Sequence, residues 1–305
     1  MTALLYQFKP LDHLRMVAPL GLRFWDRVTE RAVSDGLAVT AYPQGQPDSA
    51  RRVQARTSYS GVYVFQHLPG MQAAEAGEGD TAYWQSPPVS RPFVIEVVDL
   101  ERRFQSFLLD AQLPHRGLFE VECGIVESPP LSAPATVPLF SAASRPTPGA
   151  MAVLRADLWD VLAERPAAWA ILRAHVPGQR PLTAVADEQG RLALFFPYPE
   201  PEDLLPESPL ATGTSLMQQQ WTIQLEAAYD RLEPAAFTER GRLALQELCA
   251  IVSQSEATLW GDASPAEALT ECTLSYGQET ILRSQSTTDP TPPSVLLITP
   301  AGSPP

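Results

Sequence analysis

His13, His67, His115 and His175 are the four histidines of the chain, and each ring could act as a general base near neutral pH. No two stand at i, i+2 or i, i+4, and HExxH is absent, so local spacing supplies no pair of metal ligands. His67 precedes Leu68-Pro69-Gly70 and His115 follows Leu113-Pro114, which puts both at turns. His175 falls near the end of a strand-like run, and all four read as ordinary loop or core histidines. Cys123, Cys249 and Cys272 are widely spaced and form no CxxC pair, which argues against a disulfide framework and a zinc ribbon. Cys249 lies on the apolar face of a helix-like segment, and the three are expected as buried free thiols of a reducing compartment. A serine nucleophile would announce itself as GxSxG; Gly213-Thr214-Ser215 comes nearest and lacks the second glycine. Neither phosphate-cradling glycine motif occurs, nor a DxDxDG calcium loop.

Carboxylates are numerous, at Asp157 and Asp160, at Asp187 and Glu188, and from Glu200 to Glu207. A glycosidase needs two of them held across a cleft at about 5–10 Å. Asp187-Glu188-Gln189-Gly190 reads better as a hairpin turn, and the proline-threaded stretch after Glu200 as a solvated linker. The expectation is therefore no catalytic residue, no cofactor and no metal. The aromatic residues weigh more. Tyr63, Phe65, Tyr83, Trp84, Phe93, Phe195, Phe196 and Tyr198 could form a sugar platform, a sandwich core, or anchors at a protein interface. Phe195-Phe196-Pro197-Tyr198-Pro199 is more apolar than one face of an edge strand requires. Phe195, Phe196 and Tyr198, with Tyr83 and Trp84, are the candidate subunit interface.

The elements that must position these residues are mostly strands. Val62-Tyr63-Val64-Phe65 follows a Ser60-Gly61 turn, Phe93 to Asp99 is rich in β-branched residues, and Arg103 to Leu109 follows a polar turn. Residues 20–120 hold about six short strands at regular spacing, the signature of a β-sandwich. Trp221 to Tyr229 fits period two, though Trp221, Leu225, Ala228 and Leu232 also fit a helix. Arg242 to Ser255 is the best helix by spacing, and strands are expected again near 273–282 and 295–298.

The pattern also recurs. Leu22 to Asp26 and Arg155 to Asp160 each close on Trp-Asp. Gly36 to Pro43 resembles Ala168 to Pro177, and Ser60-Gly61 with its strand resembles Gln189-Gly190 with its own. Three landmarks in one order point to an internal repeat. The 31 prolines cluster at 129–148, 197–209 and 290–293, as joints would. The expected organisation is an N-terminal β-sandwich at 1–127, a Pro-rich joint at 128–148 and a smaller sandwich at 149–200. A linker at 201–214 then leads to a C-terminal α+β domain at 215–305 with a flexible tail. The fold class is mainly β.

Net charge is -13 with Lys9 the only lysine, so the chain repels phosphate backbones and nucleic acid is not an expected partner. No segment approaches the ~18–20 apolar residues of a spanning helix. The N-terminal residues lack the basic start and apolar run of a signal peptide, so a cytoplasmic site is expected, within an assembled particle or released with it.

Phe24-Trp25-Asp26, then Val33 to Val39, then Ser60 to Phe65 and His67-Leu68-Pro69-Gly70 resemble the carboxypeptidase-regulatory or transthyretin-like β-sandwich. That resemblance implies a fold and no activity. Pro92 to Asp99 with Arg103-Phe104, Leu113-Pro114, Pro138 to Ala142 with Arg145-Pro146, and Gly190-Arg191 with Phe196 to Pro199 are similar to proteins of phage-tail-like contractile injection systems. That resemblance implies a structural component at the baseplate or cap, meeting other subunits, copies of itself included, through β-edges and aromatic anchors. The alternative is a carbohydrate-binding or hydrolytic accessory protein.

Overall fold

A computed structural model of the chain describes residues 17–46, 49–75, 89–121, 123, 136–200, 216–238, 243–263, 266–285, 294–301 and 303. The fold is mainly β, as the sequence patterns require. In the first module a four-stranded sheet runs in the order Val53–Gln54, Leu37–Pro43, Arg91–Asp99, Phe107–Leu113. Its strands alternate, so Val39, Ala41, Phe93, Ile95, Val97 and Leu109 share one buried face. The same core takes Leu22, Phe24, Tyr63 and Val137 from two three-stranded sheets built around Tyr63–Val64 and Phe24–Asp26.

Val137–Leu139 pairs in parallel with Phe24–Asp26, so the first module reaches past the expected boundary at 127. This corrects the reading of 128–148 as a joint throughout. Pro138 hid the strand: it cannot donate to a ladder, but on an edge strand it need not.

The second correction is larger. Strands from 149–200 and from 215–305 share one sheet and one core. Ile171–His175 pairs with Gln220–Ala228, and Ala152–Asp160 pairs in parallel with Leu296–Pro300. Neither segment is a domain by itself, because each leaves strand edges that the other satisfies. Gln220–Ala228 is the strand that the period-two reading predicts, with Trp221, Ile223, Leu225 and Ala227 buried. The helix is real but short, Leu248–Val252, with the Glu247 side chain accepting from the Ala250 N–H as its cap.

The repeat is a repeat of whole modules. Asp26 and Asp160 end the first strands, and Glu30 and Glu164, four residues on, both adopt φ 51°. Leu22 pairs with Tyr63 as Ala156 pairs with Leu192. Ser58 and Asp187 each accept from a residue four ahead, Val62 or Arg191, with Gly61 and Gly190 at positive φ in the turn. Leu139 lies beside Asp26 and Ile298 beside Asp160, both in parallel. Gly21 meets Leu118 as Arg155 meets Ile281, again in parallel. Each module is thus closed by a late strand laid along its first.

The copies differ most after their central strands. Residues 100–106 make a short turn in the first, whereas 230–238 and 243–255 belong to an excursion in the second. That excursion docks on the first module. Leu108 N–H donates to the Gln246 carbonyl at 2.9 Å, Leu248 and Ile251 enter the first core, and Cys249 forms a disulfide with Cys123. The expectation of three free thiols is corrected: only Cys272 is free. Two cysteines separated by 126 residues give no local signal of pairing.

Candidate functional site

Buried carboxylates end strands and organise turns, Asp160 of the sequence candidates among them. Asp26 accepts from the Val28 N–H at 3.0 Å and the Thr29 hydroxyl at 2.7 Å. Asp160 accepts from the Leu162 and Ala163 N–H groups, both at 3.0 Å, and from the Tyr229 hydroxyl at 3.2 Å. Each is met by an arginine fork. Arg145 reaches Asp26 at 3.0 and 2.6 Å, and Arg231 reaches Asp160 at 2.6 and 3.2 Å. Burial works to raise the pKa of both carboxyls, but the arginine bonds and turn donors outweigh it and hold both below the usual carboxylate value. Burial, then the Asp160 charge, pushes the Tyr229 phenol up to about 12. Asp187 holds the predicted hairpin through the Gln189 and Arg191 N–H groups, and Asp99 accepts from the Arg103 and Phe104 N–H groups.

Of the predicted interface residues, Phe195 lies at the seam between the modules. Phe195 and Phe196 are only 2% and 1% exposed, which removes them as anchors on a free surface. Phe195 packs with Val153, Ala193, Met151 and Val28, the last from the turn of the first module. It is an interface residue, but the interface joins two halves of one chain. Arg145 and Arg155 stand over its ring at 5.8 and 5.5 Å. Arg155 also donates to the carbonyls of Ala143 and Arg145, tying the inter-module segment to the second module. Phe196 belongs to the second core.

Tyr198 is half-buried. Its hydroxyl accepts from the Gly277 N–H at 2.9 Å, and its ring lies 4.7 Å from Tyr276 and 5.9 Å from Trp221. The rings are tilted by 42° and 40°, so they make no flat platform for a sugar face. Tyr83 and Trp84 lie outside the described residues. A cleft of about 1140 Å³ opens between the modules, walled by Arg27 and Arg31 on one side and by Arg180, Tyr198 and Trp221 on the other.

No family model and no curated protein matches the chain. Solved structures with a weak likeness include the following three. The shaft pilin SpaA of Lactobacillus rhamnosus GG has 8% identity over 94% of this chain and 98% of its own, with a TM-score of 0.21. BcpA, the major pilin subunit of Bacillus cereus, has 10% identity over 82% and 56%, with a TM-score of 0.20. The Bacillus anthracis TIE protein has 8% over 86% and 44%, with a TM-score of 0.22. Likeness at that level carries no functional argument.

The histidines stand apart from one another. His67 sits at φ 62° in a turn, 3.6 Å from the Glu75 carboxylate. His115 meets the Leu118 carbonyl at 3.3 Å and the edge of Phe119. His175 lies 3.1 Å from Glu226, and His13 is outside the described residues. Among the described residues no three His, Cys, Asp or Glu side chains gather as metal ligands, and no helix is long and apolar enough to cross a membrane. What sequence reasoning missed is the seam and its buried arginine. The Trp-Asp landmarks could have suggested a buried partner for Asp26, but Arg145 lies 119 residues away.

Proposed function

We propose that the chain is a non-enzymatic assembly protein, a rigid two-module β-spacer that holds neighbouring subunits of a larger particle. The seam carries this reading. Two copies of one module are fixed to each other by Phe195, by Arg155 on the inter-module segment and by the Cys123–Cys249 disulfide, a construction that sets distance and angle. The aspartates at the strand ends are engaged in turns, which favours architecture over acid–base chemistry. The link to a phage-tail-like contractile injection particle comes from the sequence resemblance alone, and within it the chain is a baseplate or cap component. Its partners are other protein subunits. The disulfide favours a working life in an oxidising setting, as a released particle would have, over the cytoplasm where such particles assemble. The test is affinity purification of the tagged chain from its own cells, followed by electron microscopy and mass spectrometry. Recovery with tube and sheath proteins supports the reading. Recovery of the chain alone, with intact particles formed in its absence, overturns it.

A further inference from the structure

Val28 and Leu162 occupy the same place, two residues past the aspartate that ends the first strand of each module. Val28 is packed against the second module, beside Phe195 and Met151. Leu162 is 48% exposed, one of few large apolar side chains on the surface. The arginine forks show the same contrast. The Arg145 side chain on Asp26 is 7% exposed, set between the Phe104 ring and, from the second module, the Phe195 ring, whereas Arg231 on Asp160 is 41% exposed. The second module therefore carries an open version of the face that the first module has already closed.

The complementary face has a counterpart as well. Met151 and Ala193 receive Val28 in the seam. By the shared register their counterparts in the first module are Val17 and Val64, both half-buried, with no module packed on them among the described residues. We propose that the turn Val161–Glu164 docks against the Val17–Val64 face of a second copy of this chain, so that copies join head to tail by repeating their own internal seam. Such a contact is heterologous: the two faces differ, and each copy keeps one of each free for the next. Gln66 stands where Phe195 fills the seam, and no covalent segment spans the new contact, so it is weaker than the internal one.

This inference rests on the assembly reading and names one partner surface within it. The experiment uses the full chain with Cys272→Ser. One preparation carries Leu162→Cys and another Val64→Cys. Mixed and oxidised, they should give a disulfide-linked dimer that neither gives alone. In parallel, sedimentation of the native chain should show mass rising with concentration. Leu162→Asp should weaken that association about tenfold or more in Kd, the order set by burying one leucine-sized side chain. A native chain that stays monomeric, or a Leu162→Cys preparation that links to itself as readily as to Val64→Cys, overturns the proposal. If particle proteins co-purify and Leu162→Asp changes neither their recovery nor self-association, the head-to-tail contact fails while the assembly reading stands. If the copies join through Leu162 but no particle protein is recovered, the outcome is reversed.

Discussion

Asp26 and Asp160 end equivalent strands, accept the same kind of turn hydrogen bonds, and are each gripped by an arginine, but only the arginine of Asp26 is sealed from water. Removing a partner from a sealed pair leaves a buried charge, which costs about 3–5 kcal/mol. Asp160 is itself buried, but its arginine is open to water, so removing that arginine costs less, since water reaches the place the guanidinium leaves. Arg145→Ala should therefore destabilise the chain far more than Arg231→Ala in urea unfolding. Equal midpoints for the two variants would show that the seam does not seal the pair.

Cys123→Ser or Cys249→Ser should lower stability by up to about 5 kcal/mol, because the bond closes a loop of 126 residues in the unfolded chain. Reducing agent should reproduce the loss in the native chain. Cys272→Ser should leave the unfolding midpoint unchanged, since that thiol is unpaired. Mass spectrometry of the alkylated, unreduced protein checks the pairing directly.

Gly190→Ala should be among the most damaging single changes. Gly190 sits at φ +77°, and an added Cβ would strike the Leu158 carbonyl, with the Ala167 nitrogen 3.2 Å away. We expect a loss of about 3 kcal/mol or more. Gly178 sits at φ +74° with open space around it, so Gly178→Ala should carry only the backbone strain of about 1–2 kcal/mol. Thermal unfolding of both variants separates steric from conformational cost.

Acid should loosen both modules. Asp26 and Asp160 have folded pKa values below their unfolded ones, so they bind fewer protons folded than unfolded. Their stabilising contribution is complete above the unfolded carboxylate value near 4 and is lost as pH falls through the depressed folded values. Unfolding midpoints should hold steady at neutral pH and drop below about pH 4. Asp26→Asn with Asp160→Asn should flatten part of that drop; an unchanged acid limb would assign it to other groups.

Phe196→Asp should prevent folding of the second module, because it places a charge in a closed core. Phe195→Ala should cost about 3–5 kcal/mol and loosen the seam between modules. Small-angle scattering should then report a wider distribution of inter-module distances at unchanged strand content by circular dichroism. A compact particle identical to the native one would remove Phe195 from the seam.

The strands, the turns and the repeated Trp-Asp landmarks were legible because they are local. Period-two alternation marks Gln220–Ala228, a β-branched run marks Arg91–Asp99, and Gly61 and Gly190 mark two of the turns. The extent of the modules was not legible. The partner of Ile171–His175 lies beyond a proline-rich stretch that looks like a boundary, and pairing register across such distances leaves no periodic trace. Phe195 and Phe196 misled for a related reason. A strand buried on both faces reads as excess hydrophobicity, and sequence does not say whether the second face meets another subunit or the rest of its own chain.

The docking of residues 243–255 on the first module also dictates an order of events during synthesis. The first core lacks Leu248 and Ile251 until residues well past its own last strand have left the ribosome. The first strand of the second module likewise waits for Leu296–Pro300, near the end of the chain. Neither half can finish alone as it emerges, so the nascent chain holds open apolar edges until Leu296–Pro300 has followed. Slow maturation, and dependence on chaperones over that interval, follow from one detour of backbone.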